Sequence, residues 1–241
     1  TTDSVVVSAT SGTTDYTFEG GALDAASLAV NAGTLTINND GVSTTGDAIL
    51  SNSGKLTVNA DKELTVGGDM GVLDSSTLDN RGSVTVDGTL SVAANATVTN
   101  AGTLNVGTLD ASGATIDSTG TLISGGGAIG TLTGEGVLEN NGELTIESDT
   151  TLGSLANSST LTVKGDLTVN SDITSGGTLV VDGDATLQNA DATSLTVSGS
   201  ATAGQLTVTD TTIGGNLTAD SLAVGNATIT TLDTDKLTVN D

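Results

Sequence analysis

The sequence predicts an all-β protein, a single parallel β-helix with about three short strands per coil and roughly 20 residues per coil. Three observations predict it. A nine-residue cassette recurs, in which an apolar residue is followed by Asn two positions on, Gly four on, Leu six on and Val or Ile eight on. The triplet Leu-Thr-Val returns throughout, as at Leu56 to Val58, Leu161 to Val163 and Leu206 to Val208. Composition then removes the alternatives: with no Pro, no Trp, one Phe and one Tyr, neither a disordered chain nor a core built on large rings fits.

Residues 1–21, with Ser4 to Ala9 and the aromatics Tyr16 and Phe18, are expected to be an N-terminal strand that caps the first coil. Residues 22–241 are expected to be the helix proper, one domain, because so continuous a repeat leaves no room for a second core. The cassette begins at Ala29, Leu50, Leu78, Val98, Ile116, Leu138, Leu155 and Ile173, at intervals of 21, 28, 20, 18, 22, 17 and 18 residues. The interval of 28 suggests an insert near 59–77, either an extra strand pair (Leu64 to Val66, then Met70 to Leu73) or a loop off one face. After Asp182 the cassette gives way to tighter coils, with Leu195, Leu206, Leu217, Leu222, Ile229 and Leu237 as their apolar marks. About eleven coils at the strand spacing of ~4.8 Å predict a rod on the order of 50 Å long.

Within each triplet, alternate side chains face opposite ways, so Leu and Val point inward and Thr points out. Equivalent positions are expected to stack, Leu56 with Leu104 and Leu144. The cassette asparagines Asn52, Asn80, Asn100, Asn140 and Asn157 are then placed to form an amide ladder along the axis. The glycines two residues on, such as Gly54, Gly82, Gly102, Gly120, Gly142 and Gly177, are expected to supply corners with positive φ.

Charge and chemistry narrow the function. Five Lys and Arg against 29 Asp and Glu give a net charge of −24, which repels nucleic acid and anionic membrane surfaces and admits cations. Neither His nor Cys is present, so His-based nucleophilic triads, disulfides and thiolate metal sites are excluded. No apolar run is long enough to span a bilayer. Thr1 in place of Met suggests an export signal already removed, and a cloned fragment would begin the same way.

Carboxylates remain. Asp182 with Asp184, and the trio Glu139, Glu143 and Glu147, are the candidates for acid/base chemistry, but a glycosidase also needs aromatic or basic sugar contacts that are nearly missing here. Asp182 and Asp184 are equally the candidates for calcium, whose hard oxygen ligands they supply, with solvated turn acids as the competing reading. No catalytic residue and no cofactor other than that calcium is expected. The run Ser124 to Gly127 lacks the Lys of a phosphate loop and reads as a wide corner. Outward Thr pairs such as Thr34 and Thr36, or Thr160 and Thr162, suggest an ice-binding face, which charge at Lys55, Glu63, Glu143, Asp166 and Lys236, and the amide of Gln205, interrupt.

Strings such as Val98-Thr-Asn-Ala-Gly-Thr-Leu-Asn-Val106 and Leu138-Glu-Asn-Asn-Gly-Glu-Leu-Thr-Ile146 resemble the repeats of autotransporter passenger domains and filamentous-haemagglutinin-like adhesins. The resemblance covers residues 22–241 and is one of repeat style. It implies a right-handed β-helix, secretion across a bacterial outer membrane, and a role in adhesion, self-association or biofilm. The expected function is thus a non-catalytic extracellular or cell-surface rod whose partners are copies of itself, head-to-tail or side-by-side, with no nucleic acid and no membrane insertion of this segment. The alternatives are a passenger module that binds a host glycan or protein and, further off, a polysaccharide-active enzyme or an ice-binding protein.

Overall fold

The computed structural model describes residues 3–8, 15–39 and 41–239, and all its regular structure is β-strand, paired in parallel. The chain divides into two compact units, residues 1–124 and 125–241, each a parallel β-solenoid. Ala9, placed by the sequence in the capping segment, lies outside the described residues.

In the first unit three parallel sheets run through six coils. The first sheet stacks Val5–Ser8, Leu28–Asn31, Ala48–Ser51, Met70–Val72 and the segments 89–92 and 108–110. The second stacks Asp15–Phe18, Thr34–Ile37, Lys55–Val58, Thr77–Asn80, Thr97–Asn100 and 115–118. The third stacks Leu23–Ala25, Val42–Thr44, Glu63–Val66, 83–86, 103–106 and Thr121–Ser124. Alternation does what the triplets predict: Leu64, Val66, Val84 and Leu104 are fully covered, while Thr65 and Thr85 between them face outward.

Register corrects the sequence reading in three places. Residues 59–77 hold no insert: Leu64 pairs with Val42 and Val84, and Met70 with Ala48 and Leu90, as ordinary members of their sheets. The long interval arises because the cassettes at Ala29 and Leu50 span the corner from the first sheet to the second, whereas those at Leu78, Val98 and Ile116 span the corner from the second to the third. Leu56 therefore stacks on Leu35 and Leu78, and Leu104 on Val84 and Leu122, in different sheets, although both are completely buried. The segment around Tyr16 and Phe18 likewise belongs to a coil, in register over Leu35 and Ile37.

The second unit repeats the design with tighter coils. One sheet stacks Val137–Asn140, Ser154–Asn157 and segments near 173, 190 and 206. A second stacks 127–129, Leu144–Ile146, Thr160–Val163, 178–181, 194–197 and 210–213. A third stacks Thr150–Leu152, 167–169, 185–187 and 201–203. Leu161 pairs with Leu179, 18 residues on, and Ala190 with Leu206, 16 on, so the coil shortens along the chain. Corners there shrink to single residues: in the register of 185–197 on 201–213 only Gln188 with Gly204 and Thr193 with Thr209 are left out of the pairing. Thr211 takes the place above which Leu144, Leu161, Leu179 and Leu195 stand, and its buried hydroxyl has no partner.

Candidate functional site

The repeated polar residues converge on three columns, each built between successive coils. In the first, Asn80 Nδ2 donates to Asn100 Oδ1 at 2.8 Å and Asn100 Nδ2 donates to Ser118 Oγ at 3.0 Å. The same amides also donate to the carbonyls of Thr103 (2.7 Å) and Thr121 (2.9 Å), so both protons of each amide are satisfied in the interior. In the second unit Asn140 donates to Asn157 at 2.9 Å and Asn157 to Ser175 at 3.0 Å. These asparagines are almost wholly buried, where an unpartnered amide would cost about 1–3 kcal/mol. Asn52 stands elsewhere: it has φ 52° at the corner after Ala48–Ser51 and donates to Asn31. In the coil above Asn80 the ladder position is Val58, so the column begins at Asn80.

The second column is glycine, for a reason other than the expected one. None of Gly54, Gly82, Gly102, Gly120, Gly142 and Gly177 has positive φ. A Cβ on Gly102 would strike the carbonyl oxygen of Gly82, and one on Gly120 that of Gly102. The constraint is the close approach of one coil's backbone to the next.

The third column was not singled out in the sequence. At the corner that leads into Ala48, Met70, Leu167, Ala185 and Ala201, a Gly is followed by Asp or, before Ala201, by Ser. Asp47 Oδ1 accepts from Asp69 N at 3.0 Å and Asp69 Oδ1 from Thr89 N at 2.7 Å. In the second unit Asp149, Asp166 and Asp184 accept in turn from the backbone of Asp166, Asp184 and Ser200 at 2.9, 2.8 and 2.7 Å. The signal is legible as Gly-Asp before Ala48, Met70, Leu167 and Ala185. Of the two calcium candidates, Asp184 is a member of this column, while Asp182 is exposed one glycine before it. Among the described residues no group of three or more acidic side chains is arranged to hold a metal ion.

On the outside of the first unit, Arg81 grips Asp79 through Nε (3.1 Å) and Nη2 (2.8 Å), and Lys55 Nζ lies 3.4 Å from the same Oδ2 that Nη2 holds. Burial pushes the Asp79 carboxyl up, but hydrogen bonds and charge from Arg81 and Lys55 together outweigh it and hold the group below the usual carboxylate range. Asp79 in turn raises the Arg81 guanidinium. Glu147 pairs with Lys164 at 2.8 Å, Glu143 stands at the other end of the strand Leu144–Ile146, and Glu139 lies in Val137–Asn140 of another sheet. Two open surface concavities in the second unit, of about 250 and 260 Å³, adjoin at Thr174.

No helix among the described residues is long and apolar enough to cross a membrane. No protein-family model matches the chain, and no curated protein or solved structure matches it either.

Proposed function

We propose that the chain is a non-catalytic scaffold of the bacterial cell surface or extracellular space, a β-solenoid that serves adhesion or self-association, including fibre or matrix assembly by strand pairing between copies. One observation carries the reading: the polar side chains that recur from coil to coil are committed to the neighbouring coil, Asn100 to Ser118 and Asp166 to Asp184 among them. Residues used that way hold a stack together and are not available to a substrate. A sequence with no His and no Cys, and with its resemblance to passenger repeats, supports the same reading.

Assembly is tested by light scattering and electron microscopy of the purified chain as its concentration is raised at physiological salt. The scaffold reading expects elongated particles that lengthen or bundle. Short monodisperse particles at every concentration would count against assembly, and turnover of any member of a polysaccharide panel would overturn the non-catalytic part.

A further inference from the structure

One sheet face of the second unit combines two adjoining concavities with three acidic side chains, Glu139, Asp172 and Asp191. Its outer side carries two neighbouring columns, Glu139, Ala156, Thr174, Asp191 and Thr207 in one and Asp172, Asn189 and Gln205 in the other. Small residues hollow it: Ala156 stands between Glu139 and Thr174, and a Cβ on Gly176 would meet no atom within 4 Å. The two adjoining concavities follow this face across successive coils. Glu139 and Asp191 lie three coils apart, about 14 Å at the spacing of paired strands.

The lining has a distinctive chemistry. Asp172 is oriented by Asn189, which donates to its Oδ1 at 3.0 Å, while neither Glu139 nor Asp191 is engaged by a hydrogen bond or ion pair among the described residues. No Lys or Arg lines either concavity, and Lys164 is paired with Glu147 on another sheet. Anionic polymers are repelled from such a surface. A peptide added as a strand needs a free sheet edge, and every strand in the middle of this face is paired on both sides. What the face offers is side-chain amides and hydroxyls for a hydroxyl-rich ligand, and carboxylates for positive charge.

We propose that this grooved face binds a linear oligosaccharide of amino sugars that carry free ammonium groups. Glu139, Asp172 and Asp191 pair with the ammonium groups, while Thr174, Asn189 and Gln205 hydrogen-bond the ring hydroxyls. The proposal goes beyond the scaffold reading and does not depend on assembly.

Calorimetric titration of the full chain with a glucosamine hexamer tests it, beside the N-acetylated hexamer, a galacturonate hexamer and hexalysine. Saturable binding of the glucosamine hexamer is expected, weakened by salt and absent for galacturonate. The variant Glu139→Gln/Asp172→Asn/Asp191→Asn should weaken it at least tenfold, while Glu143→Gln/Glu147→Gln/Asp182→Asn, which removes equal charge elsewhere, should leave it within twofold. Circular dichroism confirms that both variants keep their strands. The proposal is overturned by no binding, by equal loss in both variants, by equal affinity for the N-acetylated sugar, or by hexalysine binding as tightly as the sugar.

Discussion

Gly102 and Gly120 lie where one coil's backbone presses on the next, so the cost of a side chain there is steric and immediate. Gly120→Ala is expected to destabilise the first unit by about 1–3 kcal/mol, the range for overpacking, while Gly176→Ala, which enters open space, should stay within roughly 0.5 kcal/mol. Urea titration of each variant measures the difference. The buried amides give a second test: Asn100→Ala leaves Asn80 without its acceptor and should cost about 1–3 kcal/mol. A cycle with Asn80→Ala should show coupling between the two. At Asp79 the sign follows from its lowered pKa. The group contributes stability above the unfolded carboxyl value, near 4, and that contribution is lost as pH falls through the lower folded value. Arg81→Gln should move the Asp79 titration to higher pH, read by NMR of its carboxyl carbon.

Among the elements, the strands were far more legible than their order around the coil. Inward Leu and Val and outward Thr follow from a period of two, and Leu56, Val58, Leu161 and Val163 are all fully buried as that period requires. The same period serves all three sheets, however, so Leu35 to Ile37 and Leu104 to Val106 read alike although they stand in different sheets. Pairing and the positive φ of Asn52 and Ser53 distinguish the corner after Ser51 from the corner after Asn80, but the sequence marks neither, so Asn52 reads as a ladder member and the interval of 28 reads as an insert. The glycine positions were legible and their cause was not, since a contact between coils leaves no mark on local sequence. The aspartate corner is written in the sequence, but Asp beside Gly is also an ordinary turn signal and does not by itself mark a column. Its role predicts an asymmetry. Asp166→Asn keeps an acceptor for Asp184 N and removes a negative charge, so thermal stability should hold or rise; Asp166→Ala should lower it by about 0.5–1.5 kcal/mol.

At the scale of the whole chain, a net charge of −24 opposes compactness through self-repulsion. Raising sodium chloride from about 10 to 300 mM shortens the screening length from roughly 30 Å to under 10 Å and should raise the melting temperature. Calcium and magnesium at equal ionic strength should act alike, since Asp184 already accepts from Ser200 and Asp182 stands exposed beside it. A calcium-specific rise would return Asp182 and Asp184 to the position of a cation site.

The central claim is that each coil lies in register on the next, and a chain without cysteine allows a direct test of it. Thr85 and Asn105 are register partners in the third sheet of the first unit, whereas Thr57 belongs to the second sheet beside Asp79. Adjacent strands are about 4.8 Å apart, inside the Cα separation a disulfide requires. Under mild oxidation, Thr85→Cys/Asn105→Cys should close a disulfide in the folded monomer and Thr57→Cys/Asn105→Cys should keep two free thiols. A bond in the second pair, or none in the first, would contradict the stacked register on which the account stands.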